Sequence, residues 1–254
     1  MNYQERISLL AEILTVSRSV YVLTGAGIST ESGIPDFRSP QTGLWTKVDP
    51  MKKATVSFLK RDPDEFWRMN LARYRQIAEN AQPNIGHKVL ARLEEAGLIH
   101  GIITQNIDGL HHKAGSKKVW ELHGHVRSVR CLLCRHEEDF SFAAREVEKK
   151  NCAPRCPECG GILRPNVVLF EDPMDDSFSQ VMRLLPKADL LVVAGTSLQV
   201  YPVASLPEMV DNLVIINMEP THMDSRAKLV IHEKTGRVLE DLLIALKEKG
   251  KLSC

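Results

Sequence analysis

Apolar positions near the start of the chain change period within a few residues. Leu9, Leu10, Ile13, Leu14 and Val20 recur at helix-like spacing, and the next run, "VYVLTGAG", is apolar and β-branched until it ends on glycine. The pattern predicts a helix, a buried strand and a tight turn. Equivalent short runs follow at "LIHGIITQN", "ADLLVVAGTS" and "DNLVIINMEP", each closing on a polar or glycine-containing turn. Strands that are apolar throughout, instead of alternating, are buried on both faces. The pattern therefore predicts an α/β fold, a Rossmann-like parallel sheet with helices on both faces, and ligands at the carboxyl ends of its strands.

Between the first two strands lie residues 31 to 97, where "DPDEFWRMNLARYRQIAEN" and "NIGHKVLARLEEAG" predict helices. Asp62 or Asp64 would cap the first, and Gly97 would stop the second. The stretch from about 126 to 165 is rich in Cys, Arg and Glu and poor in strand-like apolar runs, and reads as a small inserted module. There is no internal repeat and no low-complexity segment.

At 254 residues, 43% hydrophobic and 26% charged, the chain suits one large domain with a small insert. Lys plus Arg number 33 against 32 Asp plus Glu, a net charge of +1, which provides no basic field for nucleic acid. Glu5 precedes the first apolar run, so the start does not read as a signal peptide, and no apolar run approaches the roughly 18 residues a membrane span needs. The expected location is cytoplasmic, which alters the reading of the six cysteines. Thiols in a reducing compartment are more often metal ligands than disulfides. Cys131-x-x-Cys134 and Cys156-x-x-Cys159, separated by 21 residues, have the spacing of two zinc knuckles, and four thiolates leave no open coordination position, so the zinc would be structural. Cys152-x-x-x-Cys156 offers an alternative second pair, while Cys254 reads as a free thiol.

The first strand ends on Gly25, Ala26 and Gly27, where small residues let backbone N–H groups approach a pyrophosphate and Ser29 and Thr30 add hydroxyl donors. A G-x-G alone is equally compatible with a plain tight turn. The third glycine of the dehydrogenase fingerprint is replaced by Thr30, and no second strand follows to carry the ribose-binding acid. Instead comes "SGIPDFR", a stiff turn at Gly33 and Pro35 and then a carboxylate, an aromatic ring and a guanidinium at Asp36, Phe37 and Arg38.

Taken together, "GAGISTESGIPDFRSPQTGLW", "TQNIDGLHHKAG", "ELHGH", "CLLC", "CPECGGILRPNVVLF", "GTSLQVYP" and "INME" resemble the sirtuins, NAD-dependent protein lysine deacylases, from about residue 20 to 220. The resemblance implies a large NAD-binding part at about 1–35, 85–125 and 165–254. It also implies a small part made of a helical insert at about 36–84 and a zinc-binding insert at about 126–164. Gly25, Ala26, Gly27, Thr30, Asp36, Phe37 and Arg38 would then surround the phosphates and nicotinamide ribose. Gln105, Ile107 and Asp108 would meet ribose and carboxamide, and Gly195, Thr196, Ser197, Asn217 and Glu219 would hold the adenosine half. His123 would be the general base on a ribose hydroxyl, with His111, His112 and His125 as its local rivals. Asn106 would position water, and Cys156 and Cys159 would complete the zinc site. The products would be free lysine, nicotinamide and O-acyl-ADP-ribose.

The same resemblance implies a substrate bound as an added strand, with Val168 and Phe170 on one side of the acyl-lysine tunnel and Val200 and Tyr201 on the other. Val167 and Leu169 read as core. Glu171 and Asp172 stand where the family has Gly-Glu, which threatens a backbone conformation needing φ > 0. With Asp175 and Asp176 they predict an acidic rim favouring Lys or Arg beside the target. The Tyr-x-x-Arg pattern of desuccinylating members is absent, which favours a neutral acyl group such as acetyl, although Arg73 and Arg75 stand near that position. An ADP-ribosyltransferase or NAD hydrolase on the same scaffold, and a non-catalytic NAD-binding module, are the competing readings.

Overall fold

The computed structural model describes residues 1–36 and 54–252. In chain order its elements are α1 (Tyr3–Val16), β1 (Val20–Thr24), a 3-10 segment (Ala26–Ser32), α2 (Val56–Arg61), α3 (Pro63–Arg75), α4 (Ile85–Glu95), β2 (Gly101–Thr104), α5 (Leu110–Lys113) and β3 (Val119–Glu121). There follow β4 (Gly124–Cys131), β5 (Glu137–Asp139), α6 (Phe140–Lys150), β6 (Leu163–Val167), α7 (Asp176–Leu184), β7 (Leu190–Ala194), β8 (Leu213–Ile216), β9 (Leu229–Ile231) and α8 (Thr235–Glu248). Asn2 and Glu5 form a reciprocal capping box on α1, and Val20, predicted with that helix, instead opens β1.

Six strands form one sheet in the order β3-β2-β1-β7-β8-β9, and every neighbouring pair is parallel. Their side chains divide by parity. Val20, Val22, Ile102, Val192 and Val214 pack with α1, α4 and α8, whereas Tyr21, Leu23, Ile103, Val193 and Ile215 pack with Val181 of α7 and with Val203 and Leu206. Each fully buried Val, Leu or Ile contributes about 1.5–3 kcal/mol, so covering both faces is what selects continuous apolar runs in these strands. β3 and β9 were missed from sequence because three residues give too short a run to register.

The module near 126–165 also departs from expectation, since it contains an antiparallel sheet in the order β5-β4-β6. In β4 only Val126, Val129 and Cys131 are buried, with His, Arg and Ser facing outward between them, which hid the strand. Its apolar side has no separate core. Val126, Val129, Phe140 and Leu163 join one cluster with Phe58, Phe66, Trp67 and Tyr74 of α2 and α3, and Trp67 Nε1 donates to the Leu163 carbonyl at 2.9 Å. Asp62 caps α3 by accepting from Glu65 N–H, and Asp64 accepts from Ala153 N–H at 2.7 Å, tying helix to module. The predicted long helix stops at Arg75 and continues as a π turn, Gln76–Asn80. Gln76 Nε2 anchors this turn to the Gly33 carbonyl at 2.9 Å. Gly97, in the left-handed region at φ +73°, follows α4 as expected of its stop.

Candidate active site

The chain runs from β1 outward through β2 and β3, then returns to place β7 on the other flank of β1. This is a topological switch point, and its loops leave a crevice at the carboxyl ends. Gly25 and Gly27 after β1 face Gly195 after β7, and Gly27 N–H donates to the Gly195 carbonyl at 2.8 Å. A Cβ on Gly25 would lie 2.6 Å from Thr196 Cβ, one on Gly27 would lie 2.8 Å from Gly195 Cα, and one on Gly195 would lie 2.4 Å from Ile28 N. The glycines are thus required by the close crossing of two loops. Gly195 also has φ +67°. Gly195→Ala is expected to cost about 2–3 kcal/mol of stability, read as a lower Tm.

Beneath the crossing lies a buried polar network. Asn106 Nδ2 donates to the Gly25 carbonyl and to Ser29 Oγ, both at 3.0 Å, and Ser29 Oγ donates to Asp108 Oδ2 at 2.7 Å. Asp108 Oδ1 accepts from Leu110 N–H at 2.9 Å. Burial raises the Asp108 pKa above the ordinary carboxylate value, against the Leu110 and Ser29 hydrogen bonds that lower it. Ser29 is therefore not the exposed phosphate donor expected from sequence, because its hydroxyl is spent inside the network. The Thr30 hydroxyl turns back to the Gly27 carbonyl at 2.9 Å, with the residue itself exposed beside the crevice. Ala26 is half-buried there.

Two histidines that the sequence gave no reason to join complete the network. His87 Nε2 stands 3.4 Å from Ser29 Oγ and Nδ1 stands 3.1 Å from Asn84 Oδ1, while burial pushes its pKa down to about 4. His111 Nε2 contacts Thr24 Oγ1 at 2.9 Å, and that hydroxyl donates to Thr104 Oγ1 at 2.8 Å. The His111 ring is fully buried, its pKa held well below the ordinary value by burial, and lies 4.9 Å from the His87 ring. A histidine within an amphipathic helix, as in "GHKVLARL", was the available signal for His87.

His123 sits between β3 and β4 with Nδ1 3.0 Å from the Gln105 carbonyl. A carbonyl only accepts, so Nδ1 carries the proton and Nε2 presents its lone pair. Burial lowers the His123 pKa below the ordinary value, and the Gln105 contact partly opposes this. The Gln105 side chain reaches the other way, donating to Thr196 Oγ1 at 3.0 Å. One residue thus links the imidazole to the glycine crossing. His112, near Glu121 at 3.8 Å, and His125, whose buried Nδ1 has no partner among the described residues, lack this connection. Ile107 is half-buried against the small core, and Ser197 is half-buried beside Thr196. Asn217 directly follows β8 and is buried, its Nδ2 donating to the Glu219 carbonyl at 2.7 Å, and Glu219 is exposed.

From β6 the chain continues with Val167 and Leu169 buried and Val168 and Phe170 half-buried, while Val200 is half-buried and Tyr201 exposed. Of the acidic rim expected after Phe170, Glu171, Asp175 and Asp176 are exposed and Asp172 is half-buried. Both Asp172 oxygens engage the buried Arg164 guanidinium, Oδ1 at 2.9 Å, and Glu171 accepts from Ser57 N–H at 2.8 Å and Ser57 Oγ at 2.9 Å. Asp175 caps α7 and Asp176 lies in its first turn. Asp172 is ion-paired, whereas Glu171 and Asp175 are hydrogen-bonded at helix N-termini and stay exposed. Arg75 is likewise taken up by Glu79 and Glu148.

The thiols of Cys131, Cys134, Cys156 and Cys159 lie within 4.8 Å of one another, with Sγ separations of 3.5, 3.6 and 3.3 Å between neighbours. A tetrahedral zinc with arms of about 2.3 Å sets sulfurs about 3.8 Å apart, so the four fit one ion. Cys152 is outside the group, which resolves the choice of second pair. Gly161 is needed here, since a Cβ would lie 2.8 Å from Cys131 Sγ.

A profile of the Sir2 family matches residues 25–202. An NAD-dependent protein deacetylase 2 of Caldanaerobacter subterraneus subsp. tengcongensis is 48% identical over 237 residues, covering 93% of this chain and 94% of that one. The chain belongs to the Sir2 family. A Sir2 complex with deacetylated p53 peptide and 3'-O-acetyl ADP ribose superposes with TM-score 0.90 at 36% identity over 98% of this chain and 100% of the other. A Sir2 complex with p53 peptide and NAD+ gives 0.83 at 37% identity, over 98% and 99%. Of the residues expected from the sirtuin motifs, Phe37 and Arg38 lie outside those described, as does Cys254. Asp36 is half-buried, four residues beyond the 3-10 segment. Among the described residues no helix is long and apolar enough to cross a membrane.

Proposed function

We infer that this Sir2 protein is an NAD-dependent protein lysine deacylase acting on a neutral acyl group, acetyl foremost. The observation that carries the reading is His123, whose Nδ1 proton is fixed on Gln105 so that Nε2 is free to accept a proton beside the glycine crossing. In this reading nicotinamide leaves the ribose of NAD, the acyl oxygen takes its place, and Nε2 removes the proton from the ribose hydroxyl that then attacks. Asn106 has its amide N–H groups committed to Gly25 and Ser29, so its carbonyl oxygen is the group left to orient a water. Ala26, Thr30, Asp36, Phe37 and Arg38 are assigned to the phosphates and nicotinamide ribose, and Thr196, Ser197, Asn217 and Glu219 to the adenosine half. Zinc, held by the four cysteines, supplies no open coordination position and serves structure.

The acyl-lysine peptide is assigned to the segment after β6, where half-buried Val168 and Phe170 alternate with buried Val167 and Leu169, opposite Val200 and Tyr201. The large and small parts are divided as the motifs suggested, supported by the separate cluster that α2, α3 and the zinc module share. The protein is assigned to the cytoplasm, a reducing compartment in which thiols such as those of the four cysteines serve as metal ligands. Mass spectrometry of products from protein, NAD and an acetyl-lysine peptide is expected to give nicotinamide, O-acetyl-ADP-ribose and free peptide in equal amounts. Nicotinamide released while the peptide keeps its acetyl group would instead point to ADP-ribosyl transfer or NAD hydrolysis.

A further inference from the structure

Glu171 is a non-glycine residue with φ +76°, in the left-handed region that costs an L-residue conformational energy. Such strain persists only where neighbours over-determine it, and here the neighbours are identifiable. The Glu171 carboxylate accepts from the N–H and the hydroxyl of Ser57, in the first turn of α2, at 2.8 and 2.9 Å. Immediately before it, Phe170 N–H donates to the Ala54 carbonyl at 2.9 Å and Val56 N–H donates to the Phe170 carbonyl at 3.1 Å. Immediately after it, Asp172 accepts from Leu169 N–H at 2.9 Å and grips Arg164. Residues 170 and 172 are therefore tied down on both sides of a strained link. The link itself is exposed, and its backbone N–H and C=O bond nothing among the described residues.

Residue 171 lies in the turn that follows the segment assigned to the peptide, and its exposed, unpaired N–H and C=O are groups that a peptide main chain can bond. We propose that Glu171 is a positioning residue for the peptide: clasped by Ser57, its side chain holds residue 171 left-handed so that its own main-chain N–H and C=O face the incoming strand. A glycine there would visit this conformation freely but would not be held in it; the glutamate replaces freedom with a latch. The carboxylate is engaged by the clasp, so the latch acts through the backbone of residue 171. This inference rests on the proposed deacylase reading, because it concerns the peptide of that reaction.

The test is steady-state kinetics of deacetylation by the full chain, varying peptide and NAD separately, for wild type, Glu171→Ala, Glu171→Gln, Glu171→Gly and Ser57→Ala. If alanine leaves the left-handed state populated only about a tenth of the time, the peptide KM rises about tenfold, with kcat and the NAD KM within about twofold. Glu171→Gly, free of the strain, recovers to within about threefold of wild type, and Glu171→Gln and Ser57→Ala, each keeping part of the clasp, fall between wild type and alanine. An unchanged peptide KM in Glu171→Ala, whether or not Tm falls, would overturn the proposal. So would a glycine variant as poor as alanine, or effects that vanish when basic residues flanking the target lysine are removed, since either would mean direct contact by the side chain. A wild type that deacetylates no peptide would overturn the functional reading, and the latch with it, and is told apart by the inactive parent.

Discussion

His123→Ala is expected to lower kcat/KM for deacetylation by about 10²–10⁴-fold, the range over which a positioned general base contributes. The loss should fall on chemistry more than on binding, because the structure engages only Nδ1, with the Gln105 carbonyl, and leaves Nε2 for the proton. NAD and peptide affinities measured by calorimetry should stay within severalfold of wild type. The pH profile supplies a second check. Burial favours neutral imidazole, so the folded pKa lies below the ordinary value near 6.5. The base is active when neutral, so activity should persist as pH falls through the ordinary histidine range and drop only at lower pH. A limb centred above 6.5, or a variant retaining more than about a tenth of wild-type kcat/KM, would remove His123 from the role.

Cys134→Ser tests the second large effect, and it is a clean test because this thiol is exposed. Its replacement opens no cavity, so what is lost is a zinc ligand. Structural zinc contributes about 10–16 kcal/mol of apparent binding energy in small zinc-finger peptides, and losing one of four ligands is expected to cost several kcal/mol, a fall in Tm of about 10 °C or more. Metal analysis should find less than one zinc per chain. Deacetylation should fall too, although zinc takes no chemical part, because β6 spans the zinc module and leads directly into Val168 and Phe170. Full zinc content together with unchanged Tm would show that the cluster does not hold the module together.

The glycine crossing, the central strands and the cysteine quartet were legible because each rests on local chemistry: close backbone approach, two-sided burial and ligand spacing. What stayed hidden depends on contacts made across the fold. Ser29 looked like a phosphate donor beside Gly27, but Asn106 and Asp108, far along the chain, draw its hydroxyl inward. Asp172 looked like surface charge but is paired with the buried Arg164, and Glu171, though exposed, is held by Ser57 from a distant helix. β4 escaped notice because a register shift between Gly124 and Val129 spaces its buried Val126 and Val129 three apart, which broke both the apolar run and the period of two.

The position of β1 has a consequence for synthesis. Val20 in β1 is paired with Leu190 in β7, 170 residues later, and Tyr21 with Gly101 in β2 on the other side. As the chain leaves the ribosome at about 5–20 residues per second, one edge of this central strand stays open for roughly ten to thirty seconds after it emerges. Gly25 and Gly27 meet Gly195 only when that edge closes. The glycine crossing therefore cannot form until three quarters of the protein exists, and a chaperone that shields apolar strand edges would find its target in "VYVLT".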